Sequence, residues 1–423
     1  MMCIRERGRE APLSVWLVME LMRNLLLLLV IFSAPVMGCE LPFPNFGKVW
    51  CLVPAANDSQ SGVYRVSGKD LQVRVSDRLI VRANGFTRES LQALDSRIEA
   101  VSELYLMDDA VYYSVNVGVT DRLPVVMRSL SEVQGVSLVQ PDILQLREKH
   151  AAEALAETTP IYLTQLGIPE LWPATQGRGV RVAVIDDGFD LNHEELRHTQ
   201  VIFSYDTASR SQDVSPGGAD DSHGTRVAGA IFAAHNGVGI DGIAPQASLI
   251  AIRQPDTWTS HTILSFYLSK LSQADIVNAS WRSQWLLEPM ADIVADLAQN
   301  GRRGKGSAVV FSAGNSGMNL AEDDSESQLQ AAVVIGADNG KGQRTRFSNY
   351  GQTVDAYLYG NAAPAVVPGG YGRFSGTSLS AAVASGYFAL LLSQDPSLTL
   401  HQLVARLQQR LSQHQSSPLE PES

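Results

Sequence analysis

Basic residues are in short supply. The 423 residues include 33 Lys and Arg against 44 Asp and Glu, a formal net charge of -11. Proteins that bind nucleic acid ordinarily carry a basic face, so nucleic acid is set aside as a partner. An acidic surface favours cationic ligands without naming one. Charged residues make up only 18% and apolar ones 45%, the reverse of a disordered composition. A chain of this length suits two or three domains. Cysteine is nearly absent: Cys3, Cys39 and Cys51 cannot supply a structural zinc site of four thiolates. One long apolar run exists, residues 25–37, and it is shorter than the ~20 residues of a membrane-spanning helix. No internal repeat is present. A dinucleotide site needs Gly-x-Gly-x-x-Gly after a first strand. The sequence there reads Asp186-Asp187-Gly188-Phe189-Asp190, whose carboxylates would repel a pyrophosphate.

The apolar run has Met22-Arg23-Asn24 before it and Ala34-Pro35-Val36-Met37-Gly38 after it. A basic start, an apolar centre and small residues at the end describe a secretory signal, residues 1–38, read best from Met22. Export to the periplasm, the outer membrane or the medium follows. Val36-Met37-Gly38-Cys39 resembles a bacterial lipoprotein signal, which would put a lipid anchor on Cys39. Ordinary cleavage after Gly38 instead leaves Cys39 and Cys51 to form a disulfide in an oxidising compartment. Both readings stay open.

Residues 39–66 read as a loop segment, with Pro42, Pro44, Gly47, Pro54, Asn57 and Gly62. Residues 67–146 read as a small split βαβ domain of order β-α-β-β-α-β. Its helices are expected over 87–101 and 121–133, and a hairpin turns at Asp108-Asp109. Residues 147–159 are polar and Ala/Glu-rich, a linker. Over 160–412, apolar strands at 180–185, 249–252, 276–280, 308–311 and 333–336 alternate with helices. This is an α/β pattern, a mostly parallel open sheet with helices on both faces. Ligands bind such sheets beyond the carboxyl ends of the strands. Residues 413–423 read as a disordered tail.

Four segments fall at those ends. Ile185-Asp186-Asp187-Gly188 follows a buried strand. Ser222-His223-Gly224-Thr225-Arg226 opens a helix. Phe311-Ser312-Ala313-Gly314-Asn315 closes a strand. Phe374-Ser375-Gly376-Thr377-Ser378 opens a helix expected to reach about residue 393. Each alone is unremarkable, since Asp-Gly is a turn pair and Ser an ordinary helix cap. Together they offer a hydroxyl, a base to take its proton, a carboxylate to hold the base, and an amide for developing negative charge. His193, His198 and His235 lack a zinc-type arrangement and read as surface residues.

The order Asp…His…Ser with Asp-Asp-Gly, His-Gly-Thr-Arg, Ser-Ala-Gly-Asn and Gly-Thr-Ser resembles the subtilisin-like serine proteases over residues 160–412. Asp187, Arg226 and Asn278-Ala279-Ser280-Trp281 lean toward the kexin/furin-like branch. The resemblance implies a secreted serine endopeptidase acting on peptides or proteins, with no catalytic cofactor. It implies Asp186 as orienter, His223 as general base and then acid, Ser378 as nucleophile and Asn315 as oxyanion donor. Residues 67–146 would be a prodomain, chaperone and inhibitor, cut from the enzyme within 147–159. The substrate pocket would be formed partly by Ala279, Ser280, Ser312, Ala313 and Gly314, with Asp187 attracting a basic residue beside the cut. Asn236 and Glu195 would be ligands of a structural calcium. Two departures stand out: Ala382 replaces a usual Pro, and Arg282-Ser283-Gln284-Trp285-Leu286-Leu287-Glu288 replaces the segment that reads basic side chains. The alternative is a catalytically inactive peptide-binding protein on the same scaffold.

Overall fold

The computed structural model describes residues 39–55, 62–145, 161–218, 220–322 and 325–416. The expected signal (1–38) and linker (147–159) lie outside the described residues. Among the described residues no helix is long and apolar enough to cross a membrane.

The amino-terminal unit is a seven-stranded antiparallel sheet. Its strands are β1 (Leu41–Asn45), β2 (Lys48–Pro54), β3 (Val63–Val66), β4 (Gln72–Ala83), β5 (Ala100–Leu106), β6 (Val111–Asn116) and β7 (Val136–Leu144). The order is β1-β2-β3-β4-β6-β5, with β7 also paired to β4. The expected β-α-β-β-α-β order recurs in β4 to β7. The segment 39–66 is a correction: it carries three strands rather than a loop. Pro42 and Pro44 lie on β1, the terminal strand of the sheet order, where the missing N–H is tolerated. Leu41, Phe43 and Asn45 alternate inward. A Cys39–Cys51 disulfide ties the start of this segment to β2. A sulfur bonded in this way has no thiol left for a lipid, so the two readings of Cys39 exclude each other. The helix expected over 87–101 covers only Arg88–Gln92. Asp95 turns its carboxylate onto the Arg97 N–H and guanidinium, a local bond that competes with helix. Residues from Ala100 then pair with β6.

The larger unit is a seven-stranded parallel sheet: β8 (Arg181–Asp186), β9 (Gln200–Asp206), β10 (Ser248–Arg253), β11 (Ile276–Ala279), β12 (Ala308–Ser312), β13 (Val333–Asp338) and β14 (Ala356–Tyr359). The order is β14-β13-β12-β11-β8-β10-β9. Its central strands are runs of Val, Ile and Ala, as strands covered on both faces must be. A short hairpin, β15 (Ala363–Val367) and β16 (Gly370–Phe374), packs by β15 on the helix His223–Phe232. The helix Thr377–Gln394 is buried along nearly its whole length. Its small residues allow that closeness; a Cβ on Gly386 would lie 2.8 Å from Ile243. Ala382, where the family has Pro, is simply a buried helical residue. The final helix, Leu400–Ser416, is a second correction, since it runs into the expected disordered tail.

The two units share one apolar core. Ile80, Leu104, Tyr105 and Tyr112 pack with Ile263, Phe266, Met290 and Ile293. Around it, the Tyr105 and Tyr112 hydroxyls donate to Asp296 and Asp292, each at 2.6 Å. Asp142 on β7 accepts from the Ser260 N–H (2.9 Å) and hydroxyl (2.8 Å) at the start of the helix Thr259–Leu271, and from the Ser76 hydroxyl. Burial nevertheless pushes its carboxyl above the usual range. A carboxyl raised in this way holds its proton more tightly when docked. Its contribution to stability is full below the unfolded value of about 3.9 and is lost as pH rises through the docked value. Asp142→Asn is therefore expected to flatten the fall of melting temperature above about pH 4 in the uncut chain. An unchanged slope would assign that fall to other groups.

Candidate functional site

The parallel strands put their carboxyl ends on one edge, and the four segments collect there. Asp186 is the last residue of β8. Its Oδ1 and Oδ2 each lie 2.9 Å from His223 Nδ1. Asp186 is 2% exposed and also accepts from the Asp187 N–H. A carboxylate can only accept, so Nδ1 carries the hydrogen, and in a neutral ring Nε2 is then the basic nitrogen. Gly224 makes the approach possible, because a Cβ there would stand 2.9 Å from Asp186 Cβ and 2.5 Å from the Gly188 carbonyl. The Phe374 ring meets the imidazole edge to face at 5.5 Å.

Ser378 is the second residue of its helix and 4% exposed. Its hydroxyl donates to the Ser280 carbonyl at 2.9 Å rather than to His223. Ser280 returns a bond from its own hydroxyl to the Ser378 carbonyl, and Asn278 donates to that Ser280 oxygen. The strand end after β11 and the start of the Ser378 helix are thus tied in both directions.

Asn315 lies three residues past β12. Its Oδ1 accepts from the Thr377 N–H (2.8 Å) and hydroxyl (3.0 Å). That fixes which end of the amide is oxygen. The other end, Nδ2, is buried and has no hydrogen-bond partner among the described residues. Gly376 sits at φ +90°, and a Cβ on it would press within 3.0 Å of that nitrogen. Glycine is therefore required beside this amide. Thr377 and Asn349 were missed in the sequence. Asn349 donates to the Ala313 carbonyl and accepts from the N–H groups of Ser316 and Met318, which shapes the turn carrying Asn315. The adjacency of Thr377 to Ser378 was the available signal for the first; none marked Asn349.

Ala279, Ser280, Ser312, Ala313 and Gly314 are all buried at the ends of the paired strands β11 and β12. Arg282 is close by: a Cβ on Gly314 would lie 2.6 Å from its Nε. Asp187 is only 1% exposed. Its Oδ1 accepts from the Gly224 N–H at 2.9 Å, a favourable place for an anion at a helix start.

Glu195 and Asn236 do meet. Glu195 is fully buried. Its Oε1 accepts from the Ile240 N–H and the Tyr371 hydroxyl, its Oε2 from Asn236 Nδ2. These are all neutral donors, and no ion pair to Glu195 forms among the described residues. A buried carboxylate without a cation fits a calcium ion in charge, and the Glu195 carboxylate and the Asn236 amide oxygen are of the ligand type calcium takes. Two side-chain oxygens fall short of the six to eight that calcium takes, so loop carbonyls would complete the set. No group of three or more His, Cys, Asp or Glu side chains gathers among the described residues. His193 is a correction, since it is 7% exposed rather than on the surface. Its ring bridges the Gly370 carbonyl and the Glu195 N–H.

A family model described as the subtilase family matches residues 177–418. Subtilisin NAT of Bacillus subtilis subsp. natto is 31% identical over 278 residues, covering 63% of this chain and 70% of its own length. A calcium-dependent protease of Nostoc sp. is 28% identical over 323 residues, 64% of this chain and 48% of that protein. A dibasic-processing endoprotease of Yarrowia lipolytica is 30% identical over 260 residues, 55% of this chain and 27% of that protein.

Proposed function

Since the chain belongs to the subtilase family and is a serine-type endopeptidase, we propose that it works through Asp186, His223, Ser378 and Asn315 and is made as an exported zymogen. In this mechanism the Ser378 hydroxyl leaves the Ser280 carbonyl and turns to His223 Nε2. Oγ bonds to the substrate carbonyl carbon as the imidazole takes its proton, and Asp186 stabilises the imidazolium. The carbonyl oxygen becomes an anion received by Asn315 Nδ2. His223 then returns the proton to the leaving amine, the C–N bond breaks, and water repeats the sequence on the acyl-enzyme. The observation that carries this reading is the unpartnered Asn315 Nδ2. A buried donor left without a partner costs about 1–3 kcal/mol, and such groups call for a reason; here an anion formed during turnover supplies it. A serine-reactive phosphonate should label Ser378 in the purified enzyme, and labelling elsewhere would reject the assignment. No observation favours the inactive alternative.

Export is supported by the apolar run before residue 38 and by the Cys39–Cys51 disulfide, which belongs in an oxidising compartment. The inhibitor role of the amino-terminal unit is supported by β7, whose Leu144 bridges Trp258 and is followed by Gln145 in a pocket with Trp281, the neighbour of Ser280. The kexin-like branch, with its basic preference, draws on the Yarrowia relative and on Asp187. The burial of Asp187 beneath the Gly224 N–H gives it a structural task instead.

Calcium, in this proposal, is held by Glu195, Asn236 and loop carbonyls. It supplies charge neutralisation and takes no part in the bond chemistry. Chelation is expected to lower the melting temperature by about 5–10 °C, and Glu195→Gln should abolish that response. An unmoved melting temperature in the unsubstituted chain would dismiss the ion.

A further inference from the structure

β7 leads out of the amino-terminal unit onto the larger one. Its last residue, Leu144, bridges Trp258 in antiparallel sense, and the Gln145 carbonyl accepts from the Thr257 hydroxyl. The Gln145 side chain enters a pocket lined by Thr259, Thr262, Trp281, Ser283, Trp285 and Met290, and it is 6% exposed there. Both ends of its amide are read by one residue: Nε2 donates to the Trp285 carbonyl at 2.8 Å, and the Trp285 N–H donates to Oε1 at 2.9 Å. A cavity of about 30 Å³ remains, room for roughly one water. Trp281 directly follows Ser280, whose carbonyl holds the Ser378 hydroxyl. The pocket therefore adjoins the support of the nucleophile.

From this we infer that the mature enzyme has a substrate subsite for a glutamine side chain on the amino-terminal side of the cut. The inference rests on the protease reading above, in which the amino-terminal unit leaves and vacates the pocket. Methionine or leucine would fill the volume but leave the buried Trp285 N–H unpaired, with the Trp285 carbonyl keeping only the Ser283 hydroxyl. Glutamate would turn a second oxygen toward the Trp285 carbonyl. Asparagine is one methylene too short to meet both groups. Sites built to hydrogen-bond a polar group reject analogues that lack it far more strongly than apolar pockets reject a missing methylene.

The test uses mature enzyme obtained from the full-length chain, with active sites counted by phosphonate labelling. It is given a mixed peptide library, with cuts mapped by mass spectrometry. Peptides differing only in Gln, Met, Glu or Asn at the enriched position follow. Glutamine is expected at one fixed position before the cut, with kcat/KM at least about 10²-fold lower for Met and Glu. Labelled enzyme that cuts the library without enriching Gln, or that cuts the Met peptide equally well, overturns the subsite and leaves the protease reading standing. Absence of both labelling and cleavage overturns the protease reading, and the subsite falls with it.

Discussion

Ser378→Ala is expected to leave the full-length chain uncut and the protein unlabelled by a serine-reactive phosphonate. Turnover by the mature domain should fall by on the order of 10⁶-fold, the loss found for the nucleophile of subtilisin, a relative of this chain. Without Oγ there is no atom to form the acyl bond, and only Asn315 and substrate binding remain. The fold should survive. The substitution removes one small group from a 4%-exposed position and one bond, to the Ser280 carbonyl, about 1 kcal/mol. A folded variant that still processes itself and still takes the label would remove Ser378 from the mechanism.

Asn315 should lose turnover and stability by separable routes. Asn315→Leu deletes the Nδ2 donor, and kcat is expected to fall about 10²–10³-fold with KM little changed. That range is the one known for the oxyanion donor of subtilisin. The same change strands the buried Thr377 N–H, which costs about 1–3 kcal/mol of stability. Asn315→Asp keeps an oxygen for Thr377 but puts negative charge where the oxyanion forms. It should melt close to the unsubstituted protein while losing at least as much turnover. If Asp restored turnover relative to Leu, the amide would be a scaffold for Thr377 and nothing more.

The residues proposed to carry the chemistry stand out in the sequence because each signal is local. Asp186 ends a run of buried apolar residues, and His223 and Ser378 open helices. The parallel sheet then does the gathering, since strands running one way must finish on one edge. What could not be read was tertiary. That Asn315 is clamped by Thr377, 62 positions away, has no local pattern. Nor has the Gln145–Trp285 pair, 140 positions apart. The strands in 39–66 were hidden by prolines that normally signal loops. The inward alternation of Leu41 and Phe43 is the signal that marks β1. In 87–101 the helical spacing was real, yet Asp95 captured the backbone and sheet pairing took the rest. The state of the Ser378 hydroxyl, turned to Ser280, is a rotamer choice on which sequence is silent.

The amino-terminal unit grips its neighbour at two different elements. At one, the hairpin of β1 and β2 presents Asn45 and Phe46 to Leu286 and Glu288, with Trp50 against Trp285. At the other, Asp142 of β7 holds the start of the helix Thr259–Leu271 through Ser260. Two tethered attachments act as a bivalent ligand: while one lets go, the other holds the loose end at high local concentration, so rebinding outpaces escape. On the proposed zymogen reading, severing the connecting chain and setting the enzyme free would then be distinct events in time, and the interval between them would work as a delay timer.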